Sequence, residues 1–561
     1  MDTDQDAAVK RLTSCLPEIH KIYSICRTPS ITFGVVHHGK IVFKHSIGHC
    51  DSALTLPAND KTIYMLGSVS KMFTSAAAGI LVDEGKLSWT DPIRKYLPEF
   101  NPVGDPRIGE EADIIDCLRH STGLASPMML TVGPRGTTPL DEEDLIPILN
   151  LMPTKNPKTS EQRFNKEWLY NNSAVGLVAL IVERITGQRF ADFVRERLLE
   201  PLGMSRTALT RAQIDSDDNL AVPCTKLSNG NFYQLPDSSW PCDHNSPLLA
   251  GMGMRSSLND MLTWCIAVLD AERSETDFNY NQTVANNPLK QMARVRRGYW
   301  TRPADDPEFS TPAAYGMGWF RMDLPSSKLS AFSGNSLSQS NGNRDHLDYI
   351  LGRDRAVTPF PVIGHTGGMR GSVFSVYTFP ETGSAIVTAT NGRDLGDASD
   401  FAAQILIQAL FDLKPRVDLL PWARKEAELA AEHYRRYIEA PWMEGRRVCD
   451  TEREQMIYVG EYAGFNGKFT LSVAMSDPSS EQLTVVFNHR VDSQCPLIFY
   501  QRDVYSFLEP DEDYAKTQAI IAKDYNQMLL MFRVNDDGVV EGLDWQWDKE
   551  EDGAWFQRLV A

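Results

Sequence analysis

The stretch Ser68 to Glu84 constrains the chain more than any other. Met72, Phe73, Ala76, Ala77, Ala78, Ile80 and Leu81 leave this segment almost no polar surface beyond its first turn. A helix that is apolar all round must be buried. Gly85 is a fitting stop after it. Yet the helix opens on Gly67-Ser68-Val69-Ser70-Lys71, which commits a hydroxyl and an amine to its entry. Serine and lysine three residues apart share one helix face. A helix N-terminus supplies partial positive charge and free N–H groups, so Ser68 is placed to attack a carbonyl and to hold the resulting oxyanion on its own N–H. Desolvation disfavours a charged lysine, so a buried Lys71 could accept the serine proton. The plainer reading makes Ser68 an N-cap and Lys71 a surface residue.

Other segments frame that helix. Spacing from Ala7 to Cys26 predicts one amphipathic helix ended by Pro29. Ile31 to Val36 and Ile41 to Phe43, joined by His-His-Gly-Lys, read as a hairpin. Helices are expected at Ser173 to Thr186, Phe190 to Leu199, Leu258 to Ala271 and Asp400 to Phe411, and a second hairpin spans Val373 to Ala389. Asn279 to Pro312 and Pro325 to Asn343 read as mobile surface insertions. Beyond Pro415 a charged helix, Trp422 to Ile438, leads to short alternating strands at 469–473, 483–487, 497–500, 528–534 and 539–545. Trp545 and Trp547 share a strand face and are expected in the core. The expected division is 1–415, a linker at 416–455, and an all-β domain at 456–561.

The chain has 561 residues, and its 56 Lys and Arg against 74 Asp and Glu give a net charge of −18. That charge repels nucleic acid and anionic membranes. No apolar run reaches the ~18 residues of a membrane span, and the acidic N-terminus lacks a secretory leader's pattern. Nine scattered cysteines without a C-x-x-C pair suit reduced thiols and a cytoplasmic protein. G-x-S-x-G, P-loop, H-E-x-x-H and Rossmann signatures are all absent.

Two further motifs complete a candidate site. Tyr170-Asn171-Asn172 precedes a helix that Ser173 could cap; Tyr170 could serve as base or proton shuttle, and Asn172 could bind a substrate carbonyl. A glycosylation sequon at Asn171 falls inside this motif, where a glycan would be harmful. Gly364-His365-Thr366-Gly367-Gly368 enters the late hairpin, where glycines allow close backbone approach and Gly368 could give a second oxyanion N–H.

Ser-x-x-Lys, then Tyr-x-Asn, then His-Thr-Gly form an ordered set. With His120-Ser121-Thr122-Gly123-Leu124, Glu200-Pro201-Leu202-Gly203-Met204, Ala250-Gly251-Met252-Gly253-Met254 and Tyr315-Gly316-Met317-Gly318-Trp319, the chain resembles the serine β-lactamase and penicillin-binding-protein superfamily. The likeness is to the branch of class C β-lactamases, family VIII esterases and transesterases. Tyr458-Val459-Gly460-Glu461-Tyr462 resembles the start of a lipocalin-like domain appended to some members. The resemblance implies an α+β fold: a helical subdomain beside an antiparallel sheet flanked by helices, followed by a C-terminal barrel-like domain. It implies an acyl-Ser68 hydrolase on a small ester or amide, with Lys71 and Tyr170 handling protons. Asn172, His365, Gly367 and Gly368 would bind substrate or oxyanion, and no metal or cofactor is needed. His365 stands where β-lactamases of this branch usually carry lysine, so a cation for the lactam carboxylate is in doubt and an esterase or amidase is favoured. An acyltransferase or transesterase of a fungal biosynthetic pathway, and a binding protein that kept the fold, are the alternatives. Capping the cleft, dimer contacts and binding an acyl chain are the roles open to the C-terminal domain.

Overall fold

A computed structural model describes residues 3–559 except 215, 236–242, 303–312, 331–332, 334, 336–348, 355–359, 370, 449, 477–481 and 518–523. Much of the two expected insertions, 303–312 and 336–343, thus lies outside the described residues.

The expected first helix is two, Thr3–Ser14 and Leu16–Cys26. Pro17 sits in the first turn of the second, and Cys15 is its N-cap. Proline cannot donate an interior helix bond, so a fresh start there relieves what a single helix could not. Both expected hairpins are present. Ser30–His37 pairs with Lys40–Gly48, and Ser372–Phe379 with Ser384–Thr390. They join one antiparallel sheet of eight strands through Ile31↔Thr390 and neighbouring pairs. Phe360–Met369 follows Ser372–Phe379 in the sheet order, then Phe320–Leu324, Ala313–Tyr315 and Trp300–Arg302.

Helices cover both faces, so the central strands are apolar throughout rather than alternating. The two N-terminal helices and Ala398–Leu410 share one buried cluster with the sheet, built on Phe33, Tyr377, Ile386 and Phe401. Leu258–Thr276 lies on the opposite face, where a Cβ on Gly34 would stand 2.8 Å from Leu262. That second core continues into the helical subdomain around Ser70–Asp83 and Asn172–Thr186, with Phe73 stacked on Trp264 at 3.9 Å between centroids. Truncating such a buried ring typically costs ~3–5 kcal/mol.

The described part of the second insertion is not on the surface. Leu329, Ser330, Ser333 and Asn335 are buried. Asn335 Nδ2 donates to the carbonyl of Asp397 and to Asp400 Oδ2, each at 3.0 Å. The Ser and Asn side chains that signal a loop here hydrogen-bond into the fold.

A helical run, Leu420–Tyr434 continuing through 435–439 to Ala440–Gly445, leads to a nine-stranded, nearly closed antiparallel sheet. Four of its strands, Gly460–Gly464, Arg490–Pro496, Val504–Ser506 and Ala554–Arg558, carry no strong alternation and escape the sequence pattern. Trp545 and Trp547 are buried in its aromatic core. Among the described residues, no helix is long and apolar enough to cross a membrane, and seven cysteines are free and buried.

Candidate active site

Ser68 lies in a 3-10 turn, Gly67–Val69, that feeds the helix Ser70–Asp83. The free edge of residues 365–369 runs against this turn. Gly67 has φ +52°, and a Cβ there would stand 2.8 Å from the amide nitrogen of Gly368. A Cβ on Gly367 would collide with the Leu66 carbonyl at 1.9 Å. Glycine at both positions is what lets two backbones close to this distance, and it sets the N–H of Gly368 beside the turn that holds Ser68.

Tyr170 comes from the other side. Its hydroxyl donates to Ser68 Oγ at 2.8 Å. The helix behind it starts at Asn172, and its cap is Asn171, whose side chain accepts from the N–H of Ala174. Asn171 fills the capping role expected of Ser173, because it is the residue in extended conformation. Asn171 is completely buried and donates toward the carbonyls of Leu124 and Ala125. Burial pushes the Tyr170 phenol far up, despite the hydrogen bond to Ser68. The phenol therefore stays neutral at pH 7.

Lys71 is wholly buried and forms no ion pair among the described residues. Its Nζ donates to Asn172 Oδ1 at 2.5 Å and to the Gly251 carbonyl at 2.7 Å, and lies 4.7 Å from the centre of the Tyr170 ring. Desolvation pushes the Lys71 pKa well below 10.5. A neutral amine has two N–H groups for those two acceptors and keeps one lone pair for a proton.

Behind these groups runs a buried polar chain. The capping box Asp113/Asp116 starts a short helix, Ile114–Arg119, which ends on His120 at φ +65°. His120 Nδ1 accepts from the N–H of Asn171 at 3.2 Å, leaving Nε2–H to face the Tyr315 hydroxyl at 3.3 Å. The Tyr315 hydroxyl meets His365 Nε2 at 3.0 Å, and His365 Nδ1 donates to the Thr366 carbonyl at 2.6 Å. Each contact fixes the tautomer of the next, so the chain has one direction. Burial, with a smaller push from Lys71, lowers the His365 pKa to about 3. His365 is neutral at pH 7.

A cavity of about 490 Å³ opens on Ser68. Tyr170, Asn172, Thr366 and Gly368 line it, whereas His365 and Gly367 are not among its lining residues. Apolar side chains dominate, including Met128, Met129, Met252 and Met369. Arg393 also lines it and pairs with no carboxylate among the described residues; its Nη1 would be 3.4 Å from a Cβ on Gly368. Sequence reasoning missed Arg393, which stands outside every motif. It also missed Gln527 and residues 548–551, lining residues that come from the C-terminal barrel.

A helical subdomain beside an antiparallel sheet, with serine, lysine and tyrosine meeting at their junction, defines a serine hydrolase that works on acyl groups. The comparisons name the family. The β-lactamase family pattern matches residues 13–410, and the chain belongs to that family. It is 22% identical over 431 residues to an unguisins hydrolase of Aspergillus violaceofuscus, covering 74% of this chain and 67% of that one. It is 25% identical to a β-lactamase of Escherichia coli, over 68% and 89% of the two chains. It is also 25% identical to esterase EstB of Burkholderia gladioli, over 51% and 81%. In fold it is similar to the octameric penicillin-binding protein homologue from Pyrococcus abyssi, with a TM-score of 0.53 at 18% identity over 99% of this chain and all of that one.

Proposed function

We propose that this enzyme hydrolyses a small, largely apolar ester or amide through an acyl-Ser68 intermediate. The observation that carries the reading is the 2.8 Å hydrogen bond from Tyr170 to Ser68 Oγ, beside a buried Lys71 that has no ion pair among the described residues. Ser68 Oγ bonds to the substrate carbonyl carbon and gives up its proton through Tyr170 to the Lys71 amine. The oxyanion rests on the N–H groups of Ser68 and Gly368. Collapse expels the alcohol or amine, which takes that proton. Water then attacks the acyl group, and its proton follows the same route to return Ser68 to its hydroxyl. Neutral His365 holds Thr366 and the strand edge in place instead of supplying a cation.

The relatives' names include an esterase, a D-aminopeptidase of Brucella anthropi and a hydrolase of unguisins. They support an ester or amide substrate and leave its identity open. Arg393 keeps a carboxylate-bearing amide within the class. Free, buried cysteines favour a reducing compartment, and we place the protein in the cytoplasm on that ground.

The test is turnover of p-nitrophenyl esters and labelling by a fluorophosphonate probe, with a β-lactam and D-amino-acid p-nitroanilides in parallel. Ser68→Ala should abolish both turnover and labelling. Full activity in that variant would refute the proposal. Adding an alcohol acceptor separates hydrolysis from transfer: ester product formed in preference to free acid would make the enzyme an acyltransferase.

A further inference from the structure

The barrel reaches the site through Gln527 and through one loop, residues 546–551, between the strands Val540–Trp545 and Ala554–Arg558. Asp548, Lys549, Glu550 and Glu551 stand on the cavity wall with Ser68 and Tyr170. The loop is built to stay there. Trp545 and Trp547 bury its root, and Trp545 Nε1 donates to the Gln527 carbonyl at 2.8 Å. The Gln546 amide donates to the carbonyls of Asp548 and Glu551 at 2.9 and 2.7 Å, stapling the turn from inside. The N–H of Glu550 donates to Asp548 Oδ1 at 2.8 Å.

The tip is latched across to the catalytic domain. Arg163 Nη1 meets Glu551 Oε1 at 2.5 Å, and both side chains are buried. Arg163 Nε also faces Glu167 at 3.3 Å. Arg163 belongs to the segment that runs on to Trp168 and Tyr170, so the loop is fixed relative to the serine. A buried, paired guanidinium is costly to break and holds one geometry.

The cavity lining has two chemistries. One part is methionine, valine and tryptophan: Met128, Met129, Val132, Trp168, Met252 and Met369. Methionine adapts to irregular apolar shapes. The barrel loop contributes a charged edge, Asp548, Lys549, Glu550 and Glu551, in which Lys549 Nζ stands 3.3 Å from Glu550. An apolar chain that fills the methionine section gains from burial, while one long enough to reach Asp548 and Glu550 must strip water from charges it cannot pair.

We infer that loop 546–551 is a specificity-determining wall, which sets the largest apolar acyl group the enzyme accepts. This rests on the acyl-enzyme reading above and adds the barrel to the substrate site. In a p-nitrophenyl ester series from acetate through butyrate and octanoate to laurate, kcat/KM should rise and then fall once the chain meets the loop. The double variant Asp548→Ala/Glu550→Ala should raise the laurate-to-acetate ratio of kcat/KM at least about tenfold, leaving acetate within about twofold. Glu550→Trp should do the opposite, abolishing octanoate and laurate turnover with acetate retained. Glu550 is exposed and Asp548 partly so, which spares the overall fold, although Asp548→Ala removes the acceptor of the Glu550 N–H; Glu550→Trp leaves that bond in place. A ratio unmoved in both variants, with acetate turnover intact, overturns this inference alone. Absence of all ester turnover and of fluorophosphonate labelling in the native chain would overturn the acyl-enzyme reading, and this inference with it.

Discussion

The eight-stranded catalytic half and the nine-stranded barrel are both antiparallel, but they bury different chemistry. The catalytic half hides Lys71, His120, Tyr315 and His365 at the junction of sheet and helices, with Tyr170 partly buried beside them. The barrel's core is mostly hydrocarbon and aromatic: Phe465, Phe469, Phe487, Trp545, Trp547 and Phe556 form edge-to-face and tilted pairs there. The barrel's buried Glu551 lies at its contact with the other half. Buried polar groups are costly unless satisfied; in the catalytic half one set lies beside Ser68, while another, Asn335, Asp397, Asp400 and Gln404, ties distant segments together. The lesson is that the first half keeps instability for chemistry, whereas the second supplies rigidity and one wall.

That contrast can be broken most forcefully at the nucleophile. Ser68→Ala should lower kcat on p-nitrophenyl acetate by at least ~10⁴-fold, with the melting temperature unchanged or raised. Lys71→Met should cost ~10²–10⁴-fold and leave the chain folded, since an apolar side chain suits that buried site. A catalytic loss below tenfold would remove Lys71 from proton transfer. The native profile carries a sign as well. In the proposed mechanism the neutral amine is the active form, so kcat/KM should rise as pH climbs through a Lys71 pKa held well below 10.5. Activity that falls over that rise would contradict the assignment.

The barrel should answer in the opposite way. Phe469→Ala, in its core, should lower stability by ~3–5 kcal/mol in urea unfolding while acetate turnover per folded molecule holds. A smaller effect sharpens the first half. The folded chain keeps His365 neutral down to about pH 3, whereas the unfolded chain protonates it near 6.5. The unfolded state thus binds more protons between these values, so stability is lost as pH falls from 6.5 toward 3. His365→Asn should flatten that slope; an unaltered slope would show that other groups set it.

How much of this was legible beforehand follows from range. Ser68, Lys71 and the late hairpin are local patterns, readable because helix and strand periods act over a few residues. The division at Cys15 turned on a single proline, and the Asn171 cap on a backbone angle no pattern reports. Asn335 looked like a loop residue because its partners, Asp397 and Asp400, lie some sixty positions on. The wall at 548–551 was illegible for the same reason on a larger scale: Glu551 pairs with an arginine 388 residues earlier. Arg393 had no motif to announce it, and only the folded cavity assigns it a place.

The most direct measurement is intact-mass spectrometry of the native chain quenched during turnover of p-nitrophenyl butyrate, followed by peptide mapping. One added butyryl group on Ser68, absent in Ser68→Ala, is the predicted result. A butyryl group on any other residue, or steady turnover whose label persists in Ser68→Ala, would contradict the account.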